Sequence, residues 1–323
     1  MFRSTLVPLD QTRFAEAALP FASRLAREAG SRLQLVLAHQ GVPAVGGMGE
    51  IAFVPTGIEG ALRDQERAYL RDVAADLVLN GLGTVGYREV EGPAGEAVCD
   101  EAERVKADLI VMATHGRGAV GRLWHGSVAE QVVRHSRSPV LLVPSGSRKG
   151  FRPLKLVRGI LVALDLSPES DAILAPVAEL SRLTGAPVTL LHVVVDSILE
   201  PATYPMLTPL GGIPSVEQRR VQASRHLEAA ADELRKQGRM VTIEVKTGPN
   251  AAWILSDALR DSRFDLLAMT THGRAGLRRL WMGSIASKVL EDANKPLLLF
   301  HPQRTITHRM ESSTDSDARC ATL

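Results

Sequence analysis

Two short strings in this sequence carry residue types that hold anions. His115-Gly116-Arg117 is followed by Gly126-Ser127, with nine residues between the two glycines; His272-Gly273-Arg274 is followed at the same spacing by Gly283-Ser284. Each Gly-Ser pair opens a helical pattern. A helix N-terminus presents unpaired backbone N–H groups and the positive end of a dipole, which suits phosphate. Gly116 and Gly273 let the backbone approach an anion with no Cβ in the way, and Arg117 and Arg274 add charged donors. An aspartate ends the first apolar strand pattern of each half, Asp10 and Asp165. Each offers acceptors to a base or a ribose, or an oxygen to Mg²⁺.

Blander roles compete for the same residues. Ser127 precedes Glu130 by three, the spacing of a capping box, whereas Ser284 has Ser287 in that place. His115 has its own turn to bond, and Leu123, Trp124, Leu280 and Trp281 read as core or interface. The spacing copied as a unit favours phosphate. Other motifs fail. Gly116 to Gly121 spells G-x-G-x-x-G, but after the fourth strand instead of the first, and it becomes GRAGLR in the second half. Asp10, His115 and Ser127, repeated as Asp165, His272 and Ser284, have the composition of a hydrolase triad, yet no G-x-S-x-G elbow surrounds either serine. No G-x-x-x-x-G-K-[ST] occurs, and the nine histidines show no metal-ligand spacing. No catalytic residue and no metal site made by protein alone is assigned.

These residues sit in a duplicated frame. Met112, His115, Gly116 and Trp124 match Met269, His272, Gly273 and Trp281 at an offset of 157 residues (115 to 272), nearly half of the 323. Such a period means a doubled domain, because solenoid repeats run to roughly 20–50 residues. Each half reads as strand, helix, strand, long loop, helix, strand, helix, strand, turn, helix, strand. The first helices, 13–29 and 168–184, end at Gly30 and Gly185 and contain Pro20 and Pro176, which predicts a kink in the middle of each. Loops of about twenty residues, 40–59 and 195–215, have the length of lids or binding loops. Alternating strands and helices predict parallel βαβ units, and runs such as Leu109-Ile110-Val111-Met112 suit strands buried on both faces. With strand order 3-2-1-4-5, strands one and four flank the switch point where ligands bind. The expected domains are 1–145 and 156–303, with a linker at 146–155 and a polar, disordered tail at 304–323.

Composition narrows the function. With 45% hydrophobic and 23% charged residues and a net charge of +2, the chain gives no argument for nucleic acid or an acidic membrane surface, both of which favour a strongly basic patch; neither is expected as a partner. Cys99 and Cys320 lie in unrelated contexts and build no disulfide framework. The N-terminus enters a strand pattern within a few residues and no apolar run approaches the roughly 20 residues of a membrane span. No signal peptide is expected, and the expected location is the cytoplasm.

Gly116, nine residues, Gly126-Ser127, its second copy, the THGR and RLW-x-GS strings and the closing PVLLVP together resemble the universal stress protein family, over 3–144 and 156–302. The resemblance implies two tandem doubly wound five-stranded parallel sheets, flavodoxin- or Rossmann-like, of order 3-2-1-4-5. Family members commonly dimerise through strand five, so the two halves are expected to form an internal pseudo-dimer with strands 140–143 and 297–300 against each other; a further homodimer is left open. The resemblance also implies ATP, held by the strand-one aspartate, the end of strand two and the glycine turn; a Mg²⁺ carried with it, through Asp10 and Asp165, is left open. By that implication one site uses Pro8, Asp10, Met112, Ala113, His115, Gly116, Arg117, Gly126, Ser127 and Val128. The other uses Ala163, Asp165, Met269, Thr270, His272, Gly273, Arg274, Gly283, Ser284 and Ile285. The motif's first glycine is Ala113 in one half and Thr270 in the other, and the branched threonine is expected to narrow the second site. The function expected is an ATP-binding stress-response regulator without rapid chemistry. Alternatives are a slow nucleotide hydrolase or transferase, and an adaptor that has lost its ligand.

Overall fold

A computed structural model describes residues 2–41, 57–114, 127–144, 157–196, 214–271, 285–286, 288–289 and 295–301. The loop segments 42–56 and 197–213, the linker and the residues from 302 onward lie outside them. In the first half the strands are β1 (Ser4–Leu9), β2 (Arg32–His39), β3 (Val85–Glu91), β4 (Leu109–Thr114) and β5 (Val140–Pro144). In the second they are β6 (Ile160–Ala163), β7 (Val188–Val195), β8 (Val241–Gly248), β9 (Leu266–Thr270) and β10 (Leu297–Phe300). The helices are α1 (Leu19–Ala29), α2 (Ile58–Leu79), α3 (Ala94–Arg104), α4 (Ser127–His135), α5 (Pro168–Asp171), α6 (Leu174–Thr184), α7 (Val216–Lys236) and α8 (Ala251–Ala258).

The strands form one ten-stranded sheet in the order β3-β2-β1-β4-β5-β10-β9-β6-β7-β8. Each half therefore has the expected order 3-2-1-4-5, parallel throughout. The halves meet where expected. β10 runs antiparallel to β5, with Leu297↔Leu142, Leu298↔Leu141 and Leu299↔Val140 in register. The two expected sheets are thus continuous across this seam, because strand five of each half is an apolar edge that gains backbone partners by pairing.

Alternate residues of the strands feed two apolar layers. One takes Phe21 and Leu25 of α1, Leu70 of α2, Val177 and Leu180 of α6 and Leu227 of α7. The other takes Val98 and Ala102 of α3, Val132 of α4 and Leu255 of α8. Both layers cross the seam: Leu141 and Leu298 lie in the first, Leu142 and Leu297 in the second.

The first helix of each half divides at the place of the expected kink, into two helical segments whose joining residues keep right-handed dihedrals. Ala15–Ala18 forms a short 3-10 turn before α1, and α5 precedes α6. Pro20 and Pro176 fall in the first turns of α1 and α6, where no intrahelical donor is needed. A proline ring excludes a helical carbonyl four residues earlier, so restarting the helix avoids the clash altogether. Gly30 and Gly185 do close these helices in left-handed conformations, φ 61° and 73°.

Candidate functional site

In each half strand one lies between strands two and four, so the chain reverses its winding between β1 and β4, and between β6 and β9. Ligands of doubly wound sheets bind outside the carboxyl ends there. In the first half the two strands part. Their pairing runs from Thr5↔Leu109 to Leu6↔Ile110, while β1 continues to Leu9 and β4 to Thr114. Asp10 is exposed at the rim of this opening, above buried Pro8 and Met112, with Ala113 half-buried. Val128, in the first turn of α4, is also half-buried.

The turn leaving strand one is built identically in both halves. Asp10 Oδ1 accepts the Thr12 backbone N–H at 3.0 Å and the Thr12 hydroxyl at 2.5 Å. Asp165 Oδ1 accepts the Ser167 N–H at 3.0 Å and the Ser167 hydroxyl at 2.5 Å. Each hydroxyl oxygen then accepts a backbone N–H three residues on, from Ala15 at 3.2 Å and from Ser170 at 3.1 Å. The residue between is left-handed in both copies, Gln11 at φ 64° and Leu166 at φ 65°. For non-glycine residues, and most of all for leucine, this conformation is uncommon and costs free energy. The strain recurs at the place where two apolar strands hand over to the solvent-facing rim.

A second layer braces the turn. The Tyr69 hydroxyl of α2 donates to Glu16 Oε1 at 2.9 Å, and in the second half His226 Nε2 of α7 meets Asp171 Oδ1 at 2.9 Å. Burial, the bond to Glu16 and the charges of Glu16 and Asp10 all push the Tyr69 hydroxyl far above its ordinary value, so it remains a neutral donor. Sequence inspection missed Thr12, Ser167 and these braces. The signal was available, since Asp10-Gln11-Thr12 and Asp165-Leu166-Ser167 repeat as Asp-x-Thr/Ser.

The second half is more closed. The β6–β9 pairing reaches Val162↔Ala268, one residue short of the end of β6. Met269 and Thr270 are both buried, Ala163 and Asp165 are half-buried, and Ile285 is exposed. Next to Thr270, Thr271 is buried, with its Oγ1 2.9 Å from His301 Nδ1 beyond β10. Of the expected site residues, His115, Gly116, Arg117, Gly126, His272, Gly273, Arg274, Gly283 and Ser284 lie outside the described residues, as does the Ser127 side chain. The structure thus places Asp10, Pro8, Met112 and Ala113 on one crevice. It gives the same places to Asp165, Ala163, Met269 and Thr270.

A family model described as "Universal stress protein family" matches residues 1–144 and 157–301. A universal stress protein of Thermus aquaticus is 36% identical over 143 residues, 44% of this chain and 99% of that protein. One from Mycolicibacterium smegmatis is 23% identical over 300 residues, covering 92% of this chain and 97% of the relative. The crystal structure of a universal stress protein from Archaeoglobus fulgidus superposes with a TM-score of 0.69 at 15% identity, over 94% of this chain and all of that one; it supports the fold. Among the described residues no helix is long and apolar enough to cross a membrane.

Proposed function

The chain belongs to the universal stress protein family, and from that premise we propose that it is an ATP-binding regulatory module with one nucleotide site per half, the first the stronger. The observation that carries this is the parting of β1 and β4 beneath Asp10, at the sheet's point of reversal. Asp10 Oδ1 is committed to its own turn with Thr12. In this reading Oδ2 meets the ribose or base, or a cation carried by the nucleotide. Pro8, Met112 and Ala113 supply the apolar floor, and Val128 the wall. His115, Gly116, Arg117 and Gly126-Ser127 would take the phosphates through backbone N–H groups and the guanidinium. In the second half Asp165, Ala163, Met269, Thr270, His272, Gly273, Arg274, Gly283, Ser284 and Ile285 would take the same parts, in a crevice that the branched Thr270, buried there, would narrow.

The site holds and orients; it is not built for fast chemistry. An aspartate whose oxygen already accepts two donors is a poor general base. Bound nucleotide is therefore read as a signal carried to a downstream partner, with any hydrolysis slow. Equilibrium binding of radiolabelled ATP to the full chain, with Gly116→Trp and Gly273→Trp made singly and together, tests this. The parent chain should bind saturably, Gly116→Trp should lose the tighter site, and the double variant should lose binding. No binding by the parent, or unaltered binding by the double variant, overturns the assignment. Rapid multiple-turnover phosphate release would make the protein an enzyme instead.

A further inference from the structure

At the carboxyl end of β2, on the same edge of the sheet as Asp10, polar groups are buried at positions that are apolar in the second half. His39 ends β2 and is 3% exposed, with Nδ1 2.8 Å from Glu66 Oε2 of α2 and Nε2 3.7 Å from Glu59 Oε1. Glu89 of β3, its side chain 5% exposed, completes a group whose potential ligand atoms all lie within 4.8 Å of one another. One of the atoms is orphaned: His39 Nε2 is buried with no hydrogen-bond partner, while buried Glu89 Oε2 makes no hydrogen bond and is ion-paired with Arg67 Nε at 2.8 Å. A buried polar atom without a partner costs about 1–3 kcal/mol, so the His39 nitrogen calls for a ligand.

The fold itself does not require these residues. Thr5↔Leu33 and Ile160↔Val188 align β2 with β7, which sets His39 opposite Val194. Leu70 and Ala74 of α2 match Leu227 and Ala231 of α7, which sets Glu66 opposite Ala223. Leu37↔Glu89 and His192↔Val245 set Glu89 opposite Val245. At three equivalent places one half has His, Glu and Glu and the other has Val, Ala and Val. The charges around the first set also fail to balance. Four carboxylates, those of Glu59, Glu66, Glu89 and Glu91, face the two guanidiniums of Arg63 and Arg67. A divalent cation would cancel the excess.

We propose that His39, Glu66 and Glu89 bind one divalent transition-metal cation of the zinc class, in the first half alone. One imidazole nitrogen and two carboxylate oxygens are a ligand set suited to zinc and its neighbours. Glu59 stands close enough to His39 to supply a further oxygen. A spacing search along the sequence does not see this set, because it is drawn from a strand, a helix and another strand.

The full chain, freed of nucleotide and stripped with a chelator, is titrated with Zn²⁺ by calorimetry and with Co²⁺ by visible absorption. One equivalent should bind, with Co²⁺ giving the ligand-field bands of an imidazole–carboxylate site. The variant His39→Val/Glu66→Ala/Glu89→Val installs the residues that the second half already carries, and it should lose this equivalent while keeping its far-UV dichroism. Glu89→Gln, which keeps the shape, should weaken binding by about tenfold or more and decides the matter if the triple variant fails to fold. Absence of saturable binding by the parent chain, or an unchanged equivalent in the variants, overturns the proposal.

Discussion

Thr12 and Ser167 perform one task in two environments. Each hydroxyl donates to the strand-one aspartate and accepts a backbone N–H of the following turn. Thr12 is exposed, whereas Ser167 is 6% exposed and caps α5. Water replaces the lost bonds of the first more easily than those of the second. Ser167→Ala is expected to cost about 1–2 kcal/mol and Thr12→Ala less than about 1 kcal/mol, compared by urea denaturation. Equal losses would show that burial of the cap is irrelevant. The aspartates were legible because they repeat at strand ends; their use was only half legible. Nothing in the types Gln11 and Leu166 announces a left-handed backbone, which is imposed by the turn's hydrogen bonds and not by propensity. The neutral donor Tyr69 was invisible for another reason, since it meets Glu16 across 53 residues of chain.

Helices and strands were legible through periodicity, less so where proline chemistry decides. An internal proline permits a kink or a restart, and only packing selects between them; here Ala18 and Ile173, both fully buried, anchor the restart. Helix α3 shows what one face of an element does to a side chain. Cys99 is buried among Val98, Ala102 and Val132, while Glu96, Asp100 and Glu103 line the same helix. Burial, followed by the charges of Asp100, Glu103 and Glu96, raises its thiol from 9.0 to about 11. Because the folded value is the higher one, this group's contribution to stability is present below 9.0 and is lost as the pH rises through about 11. In a Cys320→Ser background, disulfide exchange at Cys99 of the native chain at pH 8 should run roughly a hundredfold slower than in the unfolded chain. It should accelerate as the pH approaches 11. Fast labelling of the native thiol at pH 8 would refute this environment.

On the scale of the molecule, duplication fixes the architecture through one seam. The strand order of each half and the contact between the fifth strands were legible because both follow from a repeated βαβ pattern with an apolar last strand. Continuity into one ten-stranded sheet was not, since it depends on backbone register between strands more than 150 residues apart. Leu141, Leu142, Leu297 and Leu298 are each no more than 3% exposed, and the antiparallel pairing gives the seam an approximate twofold relation. The outer strands differ: β3 carries Arg88, Glu89 and Glu91, and β8 carries Glu244 and Lys246, charges that discourage edge pairing. The full chain is therefore expected to have the mass of one chain in light scattering. A chain ending at residue 145 exposes β5, and the single-copy Thermus aquaticus relative shows that one half is the span of a whole protein. Such a chain should dimerise, β5 against β5, because an isologous pairing satisfies the same backbone groups that β10 satisfies in the tandem chain. Leu141→Lys in that half puts a charge into the dry seam and should return it to a folded monomer. A truncated chain that stays monomeric and folded would show that β5 tolerates solvent and that the linker, not the seam, holds the halves together.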